Sequence, residues 1–127
     1  MSFLVDTNIF LEILLNRPGR SKCEAFLQQH AGNLAMTDFS LHSIGVIAFR
    51  QRREKIFSDF LADTFPNVVL LHLDRVGYPA VARARQKFGL DFDDAYQFTV
   101  AQAHGLAFAT QDKDFERVKQ DVVVKFI

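Results

Sequence analysis

One thiol in 127 residues, Cys23, excludes an internal disulfide and any metal site built on clustered cysteines. Its place in an amphipathic stretch suits a small packed helix residue better than a nucleophile. Histidine is nearly as scarce, with four in the chain and none at zinc-ligand spacing. Net charge is absent too: fifteen basic side chains balance fifteen acidic ones, so no global field draws nucleic acid, although a local basic patch stays open. No apolar run approaches the roughly 20 residues of a membrane span. The opening lacks the basic region of a secretory signal, and Asp6 and Glu12 interrupt its apolar run. These absences set the expectation of a cytoplasmic chain with no membrane contact. There is no glycine-rich phosphate loop and no G-x-S-x-G elbow. Nor is there a repeat, low-complexity tract or linker, which leads to the expectation of one domain over residues 1–127, large enough to bury about two-thirds of its unfolded surface.

What is present is an alternation of short apolar runs with helical periodicities. Phe3-Leu4-Val5 reads as a buried strand, and Phe10, Leu11, Leu14 and Leu15 follow at helical spacing. Asn16-Arg17-Pro18-Gly19 is a turn signal. A second helix is predicted over residues 21–30, with Cys23, Phe26 and Leu27 inward, and a short strand at Leu34-Ala35-Met36. Thr37-Asp38-Phe39-Ser40 looks like a helix start, continued by Leu41, Ile44, Ile47 and Ala48. Residues 54–64 form another helix, with Ile56, Phe57, Phe60 and Leu61 on one face. Residues 68–73 read as the clearest buried strand. Helices are predicted over 74–88, ended by Gly89, and over 91–104, ended by Gly105. A strand at 106–109, a short helix at 112–119 and a strand at 122–127 close the chain. Strands alternating with helices argue for an α/β fold with a central parallel sheet flanked on both faces.

Three aspartates share one kind of address. Asp6 follows the first strand, Asp112 follows the run Leu106 to Thr110, and Asp94 lies in the first turn of the helix opening Asp91-Phe92-Asp93-Asp94. Each alone is explained by capping or by the helix dipole. In open α/β sheets, however, ligands gather beyond the carboxyl ends of the strands. If the first and fourth predicted strands are neighbours, Asp6 and Asp112 meet there, within reach of Asp94. Carboxylates brought that close raise one another's pKa unless a cation sits among them. A hard, oxygen-seeking ion such as Mg²⁺ or Mn²⁺ suits such a set, and it activates water and offsets charge on a phosphodiester undergoing displacement.

With these residues in view, the chain resembles the PIN-domain nucleases, many of which are toxin ribonucleases of VapBC-type toxin–antitoxin modules. The resemblance rests on Val5-Asp6-Thr7-Asn8, on Asp93-Asp94-Ala95, and on Ala109-Thr110-Gln111-Asp112-Lys113-Asp114-Phe115, in that order across the whole chain. It implies a three-layer α/β/α sandwich with a central parallel sheet of four to five strands, and acids that bind Mg²⁺ or Mn²⁺ and cut RNA. It implies that Asp6, Asp94 and Asp112 are the catalytic and metal-holding acids. Thr7 and Asn8 match the small polar residues after the first acid, and Thr110 the hydroxyl residue that supports the acids. Asp114 and Asp93 match as auxiliary acids. The pattern departs at the helix after the second strand, where such proteins place a glutamate: Ser43 occupies that position in Ser40-Leu41-His42-Ser43-Ile44. His42 beside it reads as a packed ring or as an unusual ligand or proton carrier.

The expectation is therefore a Mg²⁺- or Mn²⁺-dependent endoribonuclease, the toxin of a toxin–antitoxin pair, with RNA as substrate and a small antitoxin protein as partner. The substitution at Ser43 supports an alternative, a catalytically impaired PIN-fold module that binds RNA or protein. A phosphoryl-transfer enzyme on another doubly wound fold is a third reading, weakened by the missing phosphate loop. Arg50-Gln51-Arg52-Arg53-Glu54-Lys55 is a basic run open to RNA phosphates or simply solvated. Fourteen phenylalanines suggest base stacking less than core, because most fall at core positions. Phe49, Phe57, Phe60 and Phe65 exceed one small core and point to a homodimer or antitoxin surface.

Overall fold

A computed structural model describes all residues, 1–127. In chain order its regular elements are β1 (Phe3–Val5), α1 (Thr7–Leu14), α2 (Arg20–Gln29), β2 (Leu34–Thr37), α3 (Asp38–Arg50), α4 (Glu54–Asp63), β3 (Val69–Leu71), α5 (Tyr78–Phe88), α6 (Phe92–Ala103), β4 (Ala107–Thr110) and β5 (Val124–Phe126). Three short 3₁₀ helices, Phe65–Asn67, Arg75–Gly77 and Lys113–Val118, lie between them. The five strands form one sheet in the order β3-β2-β1-β4-β5, and every pairing is parallel.

Alternation along the strands sorts side chains into two apolar layers. Phe3, Val5, Leu34, Met36, Ala107 and Ala109 face α1 to α4, where they pack with Phe10, Phe26, Ile44 and Phe60. Leu4, Ala35 and Phe108 face the other way, against Val81, Ala95, Phe98 and Phe115 of α5, α6 and the last 3₁₀ helix. A strand covered on both faces has no solvent side, which explains why β1, β2 and β4 read as continuous apolar runs and are buried throughout. Each large side chain so buried contributes about 1.5–3 kcal/mol. The expected three-layer α/β/α sandwich with a parallel sheet is thus the observed fold, and it has five strands. No helix is long and apolar enough to cross a membrane.

The predicted starts and stops hold where local chemistry decides them. Thr37 caps α3 by accepting a hydrogen bond from Ser40 N at 3.0 Å. Gly89 ends α5 at φ +70°, and Gly105 follows α6 at φ +63°, a backbone region in which glycine has no Cβ penalty. Other expectations need correction. Residues 68–73 are not the best-buried strand: β3 spans only Val69–Leu71, lies at the sheet edge, and leaves Val69 60% and Leu70 41% exposed. A terminal strand has a neighbour on one side only, so a hydrophobic run there stays partly uncovered. The helix expected over 74–88 breaks into a 3₁₀ turn and α5, because Pro79 in the first turn favours a helix start there. The expected helix at 112–119 is 3₁₀. Phe60, counted toward an interface, is 1% exposed and belongs to the core; Phe49 is 59% exposed.

Candidate active site

The register of β1 against β4 pairs Val5 with Ala109. The chain therefore leaves both strands at the same edge, with Asp6 after one and Thr110, Gln111 and Asp112 at the end of the other. Asp6 is 4% exposed. Its side chain makes no capping bond to α1, so capping does not explain its burial. Thr110 Oγ1 donates to Asp6 Oδ2 at 2.7 Å, and Gln97 Nε2 donates to Asp6 Oδ1 at 3.1 Å.

Behind Asp6 runs a closed polar network. Ser40 Oγ donates to Gln97 Oε1 (3.3 Å), and Thr37 Oγ1 donates to Ser40 Oγ (3.2 Å). Since the single Ser40 proton is given to Gln97, the 2.7 Å contact between Thr7 Oγ1 and Ser40 Oγ is donated by Thr7. Thr110 Oγ1 also accepts from Asp112 N at 2.9 Å, and Asp112 Oδ1 accepts from Asp114 N at 2.9 Å. No buried side-chain nitrogen or oxygen lacks a partner. Such a network fixes the carboxylates before any ligand arrives.

Asp94 reaches the same place from the first turn of α6, whose N-cap is Asp91. The carboxylates of Asp94, Asp112 and Asp114 each bring an oxygen within 4.8 Å of the others. Asp6 stands behind this set, not in it. A cleft of about 330 Å³ opens here, lined by Thr7, Asn8, Ser43 and six aspartates: Asp6, Asp91, Asp93, Asp94, Asp112 and Asp114. Burial pushes the Asp94 carboxyl up to about 7, and repulsion from Asp93, Asp6, Asp112 and Asp91 adds to the effect. Burial likewise raises Asp6, opposed by the hydrogen bonds from Thr110 and Gln97 and reinforced by Asp112. Arg117 lies 3.5 Å from Asp114 Oδ1, a partly exposed pair at the rim. Oxygen-only donors under mutual repulsion fit a hard divalent cation, whose charge would favour the ionised form of the half-buried Asp94.

The structure thus brings together Asp94 and Asp112 with the auxiliary Asp114, and seats Asp6, Asp93, Thr7 and Asn8 around them. Thr110 supports Asp6 from below. Ser43 faces the cleft, at the wall where a longer carboxylate would reach inward. His42 does not line it and is solvent-exposed, because the next residue along a helix turns about 100° away. Cys23 is buried inside α2. Sequence reasoning missed Gln97, Ser40 and Thr37. Gln97 was in principle visible: it lies three residues after Asp94 on one helix, hence on nearly the same face. The hydroxyl pair had no such signal, since a helix-start pattern explained it already.

A family model for the PIN domain matches residues 3–121. The chain belongs to the PIN-domain family. Among solved structures, the PIN chain is similar to one in VapBC2 from Rickettsia felis bound to a promoter DNA fragment, with TM-score 0.82 and 15% identity over 99% of this chain and 98% of that one. Against DNA-bound VapBC from Salmonella typhimurium the TM-score is 0.81 at 14% identity, again over 99% and 98% of the two chains. A toxin–antitoxin complex from Klebsiella pneumoniae gives 0.74 at 22% identity, over 91% of this chain and 90% of that one. At these identities the likeness is one of fold. A comparison with curated proteins gave no significant match.

Proposed function

We propose that this PIN domain is a metal-dependent endoribonuclease and the toxin of a toxin–antitoxin pair, acting on RNA in the cytoplasm. The observation that carries the reading is the set Asp94, Asp112 and Asp114 with Asp6 behind it, at the carboxyl ends of two adjacent parallel strands in a PIN fold. Asp6, Asp94 and Asp112 would hold Mg²⁺ or Mn²⁺, with Asp114 and Asp93 as further oxygen donors. When bound, such a cation lowers the pKa of a water and offsets charge on a phosphodiester. The chain's own work is preorganisation. Thr110 and Gln97 keep Asp6 from turning away, Thr110 also holds the Asp112 backbone, and Asn8 offers a neutral polar group at the cleft wall.

The toxin role is supported by neighbours of the same fold found in toxin–antitoxin complexes, and it implies a small antitoxin partner. A homodimer is supported by Val46 and Phe49, exposed on α3 at 47% and 59%. A second reading, a PIN-fold binding module impaired in catalysis, is favoured by Ser43 in the cleft wall. Incubation of labelled RNA with the wild type and with Asp6→Asn, in Mn²⁺, Mg²⁺ or EDTA, tests the first reading. Cleavage by the wild type with either metal, lost in EDTA and in the variant, is the expected result. Equal cleavage by both proteins refutes the site. RNA bound but uncut, with no calorimetric Mn²⁺ binding at millimolar metal, selects the second reading.

A further inference from the structure

The acidic cleft has a neighbour. A groove of about 390 Å³ runs along α5 and the start of α6, bounded by Tyr78, Val81, Arg85, Asp91, Phe92 and Ala95. Its lining is mainly apolar, and two of its walls are aromatic rings open to solvent: Phe92 is 56% and Tyr78 47% exposed. Two features make it continuous with the cleft. Asp91 lines both spaces. The rings also form one chain, from Phe39 in the cleft wall to Phe92 (5.9 Å between centroids), from Phe92 to Tyr96 (6.1 Å), and from Tyr96 to Tyr78 (6.0 Å).

Phe92 opens α6 beside three aspartates, packs one side against Phe39 and Tyr96, and leaves more than half of its surface facing water. Asp91 beside it is open to solvent. It occupies the N-cap but makes no side-chain capping bond, its side chain is 85% exposed, and its nearest cation is Arg85 at 3.6 Å. Arg85 is itself turned toward the carbonyls of Gly89 and Leu90, at 3.2 and 3.1 Å. The groove therefore offers a flat aromatic face, an apolar floor and one carboxylate acceptor at its mouth.

We propose that this groove is a nucleobase subsite, in which a base next to the phosphodiester held in the acidic cleft stacks on Phe92; the proposal rests on the ribonuclease reading. Flattened single-stranded bases are recognised by aromatic stacking and by hydrogen bonds to their edges. Phe92 supplies the face, and Asp91 accepts from an amino or ring N–H group of the base, as carboxylates do from cytosine. The groove's lining is apolar apart from Arg85 and Asp91, which pair with each other, so it favours a base over backbone, while the phosphodiester goes to the cleft, where a divalent cation would offset its charge.

The test is a cycle of Mn²⁺-supported cleavage rates, kcat/KM, for wild type and Phe92→Ala on an intact oligoribonucleotide and on the same RNA with single abasic positions around the cleaved bond. On intact RNA the variant should lose about 5- to 150-fold. At one abasic position the wild type should lose a similar factor, and the variant should lose little more. Phe92→Tyr, which keeps a stacking ring, should regain most of the rate lost in Phe92→Ala, and calorimetric Mn²⁺ binding should be unchanged in Phe92→Ala. Equal loss for the variant on intact and on all abasic RNAs, or no loss at all, overturns the subsite while leaving the nuclease intact. A Phe92→Ala protein that sediments as a smaller species than the wild type also overturns it, and assigns the face to a second copy of the chain. A wild type that does not cut RNA ends both readings together.

Discussion

Replacing Asp94 by asparagine should stabilise the metal-free protein at neutral pH, and the gain should depend on pH in a defined way. The folded-state pKa of Asp94 is raised from 3.8 to about 7 by burial and by the neighbouring acids. The unfolded chain then gives up its proton more readily than the folded one, so folding is penalised as pH rises. Below about pH 4 both states are protonated and the penalty is absent; it grows between about pH 4 and 7, and is constant above 7. For a fully buried group a shift of this size is worth about 4 kcal/mol. Asp94 is only half-buried, and solvent screening brings the figure to about 1–2 kcal/mol. In a chain of 127 residues that corresponds to roughly 4–8 °C in Tm. Thermal unfolding of wild type and Asp94→Asn in EDTA, from pH 4 to 8.5, should give curves that start together and diverge until about pH 7. Adding Mn²⁺ at pH 8 should raise the wild-type Tm and move the variant less, since binding to the folded state alone stabilises it. A difference that stays flat across this range, or a variant less stable than wild type at pH 8 in EDTA, refutes the account in which burial, reinforced by the neighbouring acids, penalises the Asp94 carboxylate.

Other perturbations follow from the same geometry. Gln97→Leu removes the donor to Asp6 and the acceptor for Ser40, and should cost about 1–3 kcal/mol in urea unfolding because two buried groups lose partners; unchanged stability would mean that the network is incidental. Ser43→Glu adds a carboxylate to the cleft wall and should lower the metal-free Tm while tightening calorimetric Mn²⁺ binding; weaker binding would show that the side chain does not reach the site. Phe60→Ala should cost about 3–5 kcal/mol, since the ring is 1% exposed and packs edge-on against Phe10 at 5.4 Å; a cost under 1 kcal/mol would return Phe60 to a surface role.

Much of this protein was legible in its residue order, because the deciding physics is local. Short apolar runs alternating with helical periodicities read as the strands of a parallel sheet, and for β1, β2 and β4 they were covered on both faces. Gly89 and Gly105 stop helices because a glycine takes the left-handed backbone there without a Cβ penalty. Asp6, Asp94 and Asp112 were visible because a strand end or a helix start is a position along the chain as well as in space. What only the tertiary structure decided is who meets whom. Thr37, Ser40 and Gln97 lie up to 91 residues from Asp6, yet they form its floor. Asp114 joins Asp94 and Asp112, while Asp6 stands behind them. Phe60 and Phe92, alike in sequence, end as core and open ring. Their fates depend on which surfaces the fold leaves uncovered, and that balance of burial is a property of the packed whole, which no window of the chain contains.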